Sequence, residues 1–379
     1  MEDDQGTEDL FGEDWRSKVQ AKGGRQYEDP LAVSLERSRE RGRGREATAP
    51  ETIPPLGWRD ILWRVLEGIL ADRILYTSGG VAFFTLLAFF PAVATIVSLY
   101  GLVTDVSTIR EHLTLLESIL PDGAIKLIGD QMAHIAGQRG TLSSVFFIVA
   151  LWSANSGVAA LFDAFNVIYK EKERRSLLRL YGTTFLFTFG WIAFMLAAIG
   201  AVIVVPLVLT FMGMSTPAER LLSIVRWPVL LIVVILGLAA LYRYGPSRQS
   251  AKWRWVTWGS TVAAVLWILT SMLFSWYVSF ESYNRLYGSL GTAIGFMVWI
   301  WLSVVVILIG AELNAEMEHQ TARDTTEGVE KPLGMRGAVV ADRVGPAQVD
   351  LKYAASPDRW RAKLMNTSEN DLDAGFRGQ

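Results

Sequence analysis

Asn155, Asp163 and Asn166 stand at i, i+8 and i+11 in an otherwise apolar run. At about 100° per residue this spacing gathers them within about 80° of one helical face. Amide and carboxyl groups in such a stripe can hydrogen-bond a polar guest or a neighbouring helix. A stripe facing lipid is costly, so it is expected to face a bundle interior. There it either lines a polar path or serves as inter-helix glue worth about 0.6 kcal/mol per bond. Tyr283 and Asn284 offer a phenol and an amide just ahead of the last apolar block, and Glu312 and Glu316 stand one turn apart at its far end. That carboxylate pair can clamp a basic loop, through Arg243 or Arg248, or titrate as an ion relay.

Other chemistries fail on inventory. The histidines are His112, His134 and His319, and there is no cysteine. Disulfides, thiolate zinc sites and a cysteine nucleophile are therefore excluded. A catalytic metal needs three or four converging ligands. His112 and His134 share one segment, but Asp105 or Glu111 would have to complete the set. No catalytic residue, metal or cofactor is assigned, and the chain is expected not to be an enzyme. No Lys, Arg or His lies deep in an apolar block, where Ser, Thr, Asn, Tyr and Trp supply the polarity. This suits a passive or scramblase-like path for an amphipathic molecule better than a charge relay.

The elements that position these residues are long and apolar. Six stretches carry no Asp, Glu, Lys or Arg: 74–104, 140–162, 180–218, 227–242, 255–280 and 286–311. A bilayer core takes roughly 20 apolar residues as a helix, and without water the backbone must satisfy itself, which excludes lone strands. The pattern predicts an all-α polytopic membrane protein, with spans near 78–103, 141–166, 182–212, 221–242, 256–279 and 288–314 of a transmembrane domain over 56–318. Pro91 is expected to kink the first span and Pro206 the third. Gly291 and Gly295, followed by Gly310, form a small-residue face for close helix packing.

Outside the spans, residues 58–76 read as an interfacial helix. Ile61, Leu62, Val65, Leu66, Ile69 and Leu70 form its apolar face, with Arg59, Asp60, Arg64, Glu67, Asp72 and Arg73 opposite. Ile125, Ile128, Met132 and Ile135 repeat at helical spacing in the first outer loop, which predicts short capping helices there. Residues 1–55 and 319–379 are polar and Gly/Pro-punctuated, and are expected to be disordered tails. Of 379 residues, 51% are hydrophobic and 20% charged, in blocks rather than an amphipathic rhythm. The acidic start lacks an apolar core, so no cleavable signal peptide is expected. Basic residues concentrate before the first span, at 170–179 and at 243–254, which predicts both termini in the cytoplasm. Arg37, Arg39, Arg41, Arg43 and Arg45 form either a solvated linker or a patch for anionic headgroups. Without interleaved aromatics, no nucleic-acid partner is expected.

Several stretches resemble the YihY/virulence factor BrkB family of bacterial inner-membrane proteins. They are SGGVAFFTLLAFFP at 78–91, WSAN at 152–155, AFN at 164–166, LYRYGP at 241–246, YNRLYGSLG at 283–291, WIW at 299–301 and LIGAELNA at 308–315. Many members open the first motif with Ala-Ala where this chain has Gly79 and Gly80. The resemblance implies six helices in the bacterial cytoplasmic membrane and, of the functions, transport of lipids or lipid-like envelope molecules. Members have been called ribonucleases, a label that this inventory of side chains opposes. The expectation is a translocator whose path holds Asn155, Asp163, Asn166, Tyr283, Asn284 and Glu312, with membrane lipids as partners. The alternatives are a non-transporting scaffold and an ion-coupled antiporter using Asp163 or Glu312. Substrate, direction, energy source and oligomeric state stay open.

Overall fold

The structure is a computed structural model that describes residues 29–103, 141–199, 217–279 and 291–348. Eight α-helices occur among them: α1 Pro30–Arg37, α2 Pro55–Ala71, α3 Ile74–Val103, α4 Thr141–Ile168, α5 Leu177–Ile199, α6 Pro217–Tyr244, α7 Trp253–Val278 and α8 Gly291–Glu318. The all-α polytopic class expected from the sequence is what forms. Helices α4 to α8 are each long and apolar enough to cross a membrane, and α3 runs for 30 residues without an Asp, Glu, Lys or Arg. The helices outrun the charge-free blocks at several ends. Thus α5 takes in Arg179, α6 Arg220 and α7 Arg254, because a long basic stem lets a helix end lie apolar-side while its head stays wet. The expected outer-loop helices, His112, His134 and Pro206 lie outside the described residues.

Pro91 does lie inside α3, and Pro228 lies inside α6. Each proline forfeits one backbone hydrogen bond. The packing core joins α3, α4, α6, α7 and α8 through Val81, Phe162, Phe165, Leu241, Tyr242, Ala263, Val304 and Leu308. The Phe165 and Tyr242 rings meet edge-on at 5.6 Å, and the Tyr242 hydroxyl donates to the Ile307 carbonyl at 2.8 Å. Helices α7 and α8 touch backbone to backbone where Gly259 faces Gly310. A β-carbon at Gly310 would come within 2.5 Å of the Tyr242 hydroxyl and 2.7 Å of the Ala263 methyl. Asn314 locks this crossing: its side-chain oxygen accepts from the Gly259 amide at 2.8 Å, and its NH2 donates to the Val256 carbonyl at 3.2 Å.

One end of the bundle carries a layer of buried charge. Both basic connectors meet there: the Arg174 amide donates to the Ser247 hydroxyl at 3.0 Å, and Arg175 donates to the Gly245 carbonyl at 2.8 Å. Residues 29–54 and 319–348 pack onto the same end, which corrects the expectation of disorder for those parts of the tails. Arg45 is buried, donating to Glu40, the Gln320 carbonyl and the Gly345 carbonyl; its burial pulls the guanidinium below its ordinary pKa. Arg336 gathers the carbonyls of Ala322, Arg323, Lys331 and Ala341. Arginine-rich composition looked solvated, but five fixed donors per guanidinium can satisfy an irregular backbone that has no ladder of its own. At the centre, Arg248 and Glu318 pair at 2.6 and 2.8 Å with side chains 1% and 0% exposed. Burial alone would lower the Arg248 pKa, but Glu318 outweighs it and raises the guanidinium above its ordinary value.

Helix α2 divides the two faces drawn from the sequence instead of keeping each whole. Asp60, Ile61, Arg64, Val65 and Gly68 are buried, while Leu62, Leu66 and Leu70 are 54%, 61% and 75% exposed. The polar residues turn inward because their partners wait there. Asp60 accepts from Arg43 at 2.6 Å and from the Gln348 amide at 3.0 Å. Arg64 pairs with Glu316 and donates to Gln320 at 2.7 Å and the Pro346 carbonyl at 2.9 Å. The exposed leucines suit an in-plane helix whose apolar side meets lipid.

Two outcomes test this architecture. Gly310→Ala should lower stability by about 1–3 kcal/mol through overpacking, read as a lower thermal unfolding midpoint in detergent. The control Gly237→Ala, where a β-carbon meets nothing within 4 Å, should not. Arg248→Met should cost about 3–5 kcal/mol by stranding Glu318, and Arg248→Met with Glu318→Met should recover much of that; equal losses in both would contradict the pairing.

Candidate functional site

The polar stripe on α4 divides in the structure. Asn155 is buried, 2% exposed, and its side-chain oxygen has no hydrogen-bond partner among the described residues. Asn166 is also buried, but at the charged end, where its oxygen accepts from the Ser247 amide at 2.7 Å and its NH2 donates to Glu173 at 3.0 Å. Glu173 in turn takes Arg175 at 2.7 and 2.8 Å, and that guanidinium holds its pKa down to about 2. Asn166 thus ties the two basic connectors together. Asp163 is exposed and does not share an interior face with the two asparagines. The 60–80° that separates it from them around the helix is enough to turn a carboxylate outward. Tyr283 and Asn284 lie outside the described residues.

Glu312 and Glu316 do not take the connector arginines that the sequence offers them. Arg248 pairs with Glu318 and Arg243 with Glu327. Glu316 is taken by Arg64, with His319 Nδ1 at 3.4 Å. Glu312 is 2% exposed and packs on Gly68 of α2, where a β-carbon would collide with its carboxyl; one carboxyl oxygen is without a partner. Of the arginines proposed for headgroups, Arg39 and Arg41 are exposed, Arg37 reaches the Val344 carbonyl at 3.2 Å, and Arg43 and Arg45 are engaged inside the layer. Gly291 and Gly295 are buried, and the close helix approach that the structure details is the one at Gly310. Among the described residues no three His, Cys, Asp or Glu side chains gather as metal ligands.

A different feature lies on the outer surface of α7. Trp267, Ser271, Met272, Ser275, Trp276 and Ser279 line an open groove of about 570 Å³ along α7, within the span Trp253–Val278 and its cap. The serines recur every fourth residue and therefore follow one side of the helix. Their spacing was visible in the charge-free block 255–280, but serine in a membrane helix is equally common as packing glue. Two indole hydrogen bonds tie this face of α7 to α8: Trp299 Nε1 donates to the Ser271 hydroxyl at 3.2 Å, and Trp267 Nε1 to the Ser303 hydroxyl at 3.0 Å. Hydroxyls in an apolar, laterally open trough can hydrogen-bond a polar head while the walls take hydrocarbon.

Comparison with known proteins places the chain. The profile of the family described as virulence factor BrkB matches residues 65–333. The putative ribonuclease-like protein YfkH of Bacillus subtilis is 32% identical over 248 residues, 63% of this chain and 88% of that protein. A UPF0761 membrane protein of Aromatoleum aromaticum is 29% identical over 262 residues, 67% of this chain and 63% of that one. Another, from Pseudoalteromonas translucida, is 24% identical over 282 residues, 72% of this chain and 89% of its own. No solved structure matches. The motifs at 78–91, 152–155 and 308–315 fall inside the matched region, on helices α3, α4 and α8 of an apolar bundle, and the chain belongs to the BrkB family of bacterial membrane proteins.

Proposed function

We propose that this protein is a non-enzymatic translocator of lipid or another amphipathic envelope molecule, seated in the bacterial cytoplasmic membrane with the charged end and both termini on the cytoplasmic side. The observation that carries this reading is the groove along α7. A polar track in a hydrocarbon-facing trough lets a headgroup cross without full desolvation while its chains stay in lipid, and desolvation of the head is the larger part of the barrier. The orientation is supported by the gathering of both basic connectors at one end, together with the segments 29–54 and 319–348. The ribonuclease-like name of the Bacillus relative finds no cluster of metal ligands to support it among the described residues.

The reading puts the path on the lateral face of α7 rather than in the bundle interior, where Asn155 is buried. Full-length protein reconstituted in phosphatidylethanolamine/phosphatidylglycerol vesicles, with a fluorescent lipid analogue quenched from outside, measures exchange between leaflets. Ser275→Leu with Ser279→Leu should slow exchange at least about tenfold, a barrier change of about 1.4 kcal/mol, with the protein still folded. Asn155→Leu should leave most of the rate. Loss of exchange in Asn155→Leu with an unchanged rate in the serine double variant would transfer the path to the bundle interior.

A further inference from the structure

Three carboxylates and two cations meet where α2 lies across α8. From the end of α2 comes Asp72, paired with Lys170 of the connector after α4; from α8 come Glu312 and, one turn on, Glu316, which is paired with Arg64 of α2. Glu312 itself is in electrostatic contact with Glu316, Asp72 and Lys170, and with the buried Tyr169 hydroxyl. Tyr169 faces Arg248, already engaged by Glu318, and stays a neutral phenol because burial raises its pKa above the ordinary value. His319 lies on Glu316, at 3.4 Å. Each cation at the junction is thus committed to a carboxylate other than Glu312.

Glu312 is 2% exposed, and one of its oxygens has no partner. An ionised carboxylate so placed is a buried charge with no counter-ion of its own, beside two further carboxylates. Such a group neutralises itself by taking a proton rather than bear the desolvation cost. From this we infer that Glu312 is a proton-binding site, held as the neutral acid at neutral pH, and that its proton latches the in-plane helix α2 onto α8 through Gly68. The neutral carboxyl can lie against the Gly68 backbone without repelling Asp72. Loss of the proton adds a third negative charge to the junction, so the docking of α2 weakens as pH rises, because the docked state binds more protons than the released one. This inference is independent of the groove on α7 and of what passes along it.

Infrared spectroscopy of the full-length protein in vesicles reads the proton directly. At neutral pH a carboxylic acid C=O band that shifts in D2O should be present, lost in Glu312→Gln and retained in Asp163→Asn, whose carboxyl is exposed. Should Glu312→Gln fail to fold, glutamate labelled with carbon-13 at the side-chain carboxyl must displace the wild-type band. A spin label at Leu66 on the exposed side of α2 should gain mobility with rising pH in the wild type and be insensitive to pH in Glu312→Gln. Absence of a protonated glutamate at neutral pH, or a band that survives Glu312→Gln, overturns the site. A Leu66 label whose mobility does not change with pH overturns the latch.

Discussion

The pairing of Arg248 with Glu318 is the constraint from which the rest of the charged end follows. Both side chains are almost wholly removed from water, and neither charge can be left there alone without a cost of several kcal/mol. Arg248 comes from the connector after α6 and Glu318 from the last residue of α8, so forming the pair brings two helix ends together. Thr325 then donates to Glu318 at 2.7 Å, and the segment after α8 folds back over the connector, with the Lys252 amide bonding the Thr325 carbonyl at 2.8 Å. Arg64 and Arg45 extend the same logic outward, each guanidinium closing carbonyls and carboxylates from segments far apart in the chain, while Arg336 closes the carbonyls of its own segment. The apolar bundle has little directional bonding of its own, and this layer supplies the specificity of assembly that hydrophobic contact lacks.

That division of labour separates two kinds of polar residue. Those at the charged end, Asn166 and Glu316 among them, are saturated with partners and hold connectors in place. Those in the hydrocarbon zone, the serines of α7 and Asn155, keep hydrogen-bonding capacity or lie open. The translocation proposed above would draw on both: a rigid end that fixes the helices, and a face that remains unsaturated enough to bind transiently.

The helices were legible in the sequence because hydropathy is a local property, and charge-free blocks translate directly into α3 to α8. The faces of α2 were not. Asp60 and Arg64 look solvent-bound in isolation, and their partners at Gln348, Glu316 and Gln320 stand more than 250 positions away. The same distance hid the order of residues 29–54 and 319–348, whose polar composition reads as disorder until one sees which carbonyls their arginines close. Helical phase puts Asn155 and Asn166 about 20° apart and both are buried, whereas Asp163 stands at the margin of that stripe and is exposed. Gly259 went unnoticed because an isolated glycine has no pattern; only its opposition to Gly310 on another helix gives it meaning.

That opposition has a mechanical corollary. With no side chain between the two backbones, and Asn314 bonding across them, α7 and α8 approach most closely here, and the bonds Trp267–Ser303 and Trp299–Ser271 carry their contact further along. Translation of one past the other would drive the Tyr242 ring and the Ala263 methyl into the bare spot at Gly310, whereas rotation about that point leaves it undisturbed. Any widening of the trough must therefore start beyond the Trp299–Ser271 bond, at Trp276 and Ser279, the part of α7 farthest from the crossing at Gly310.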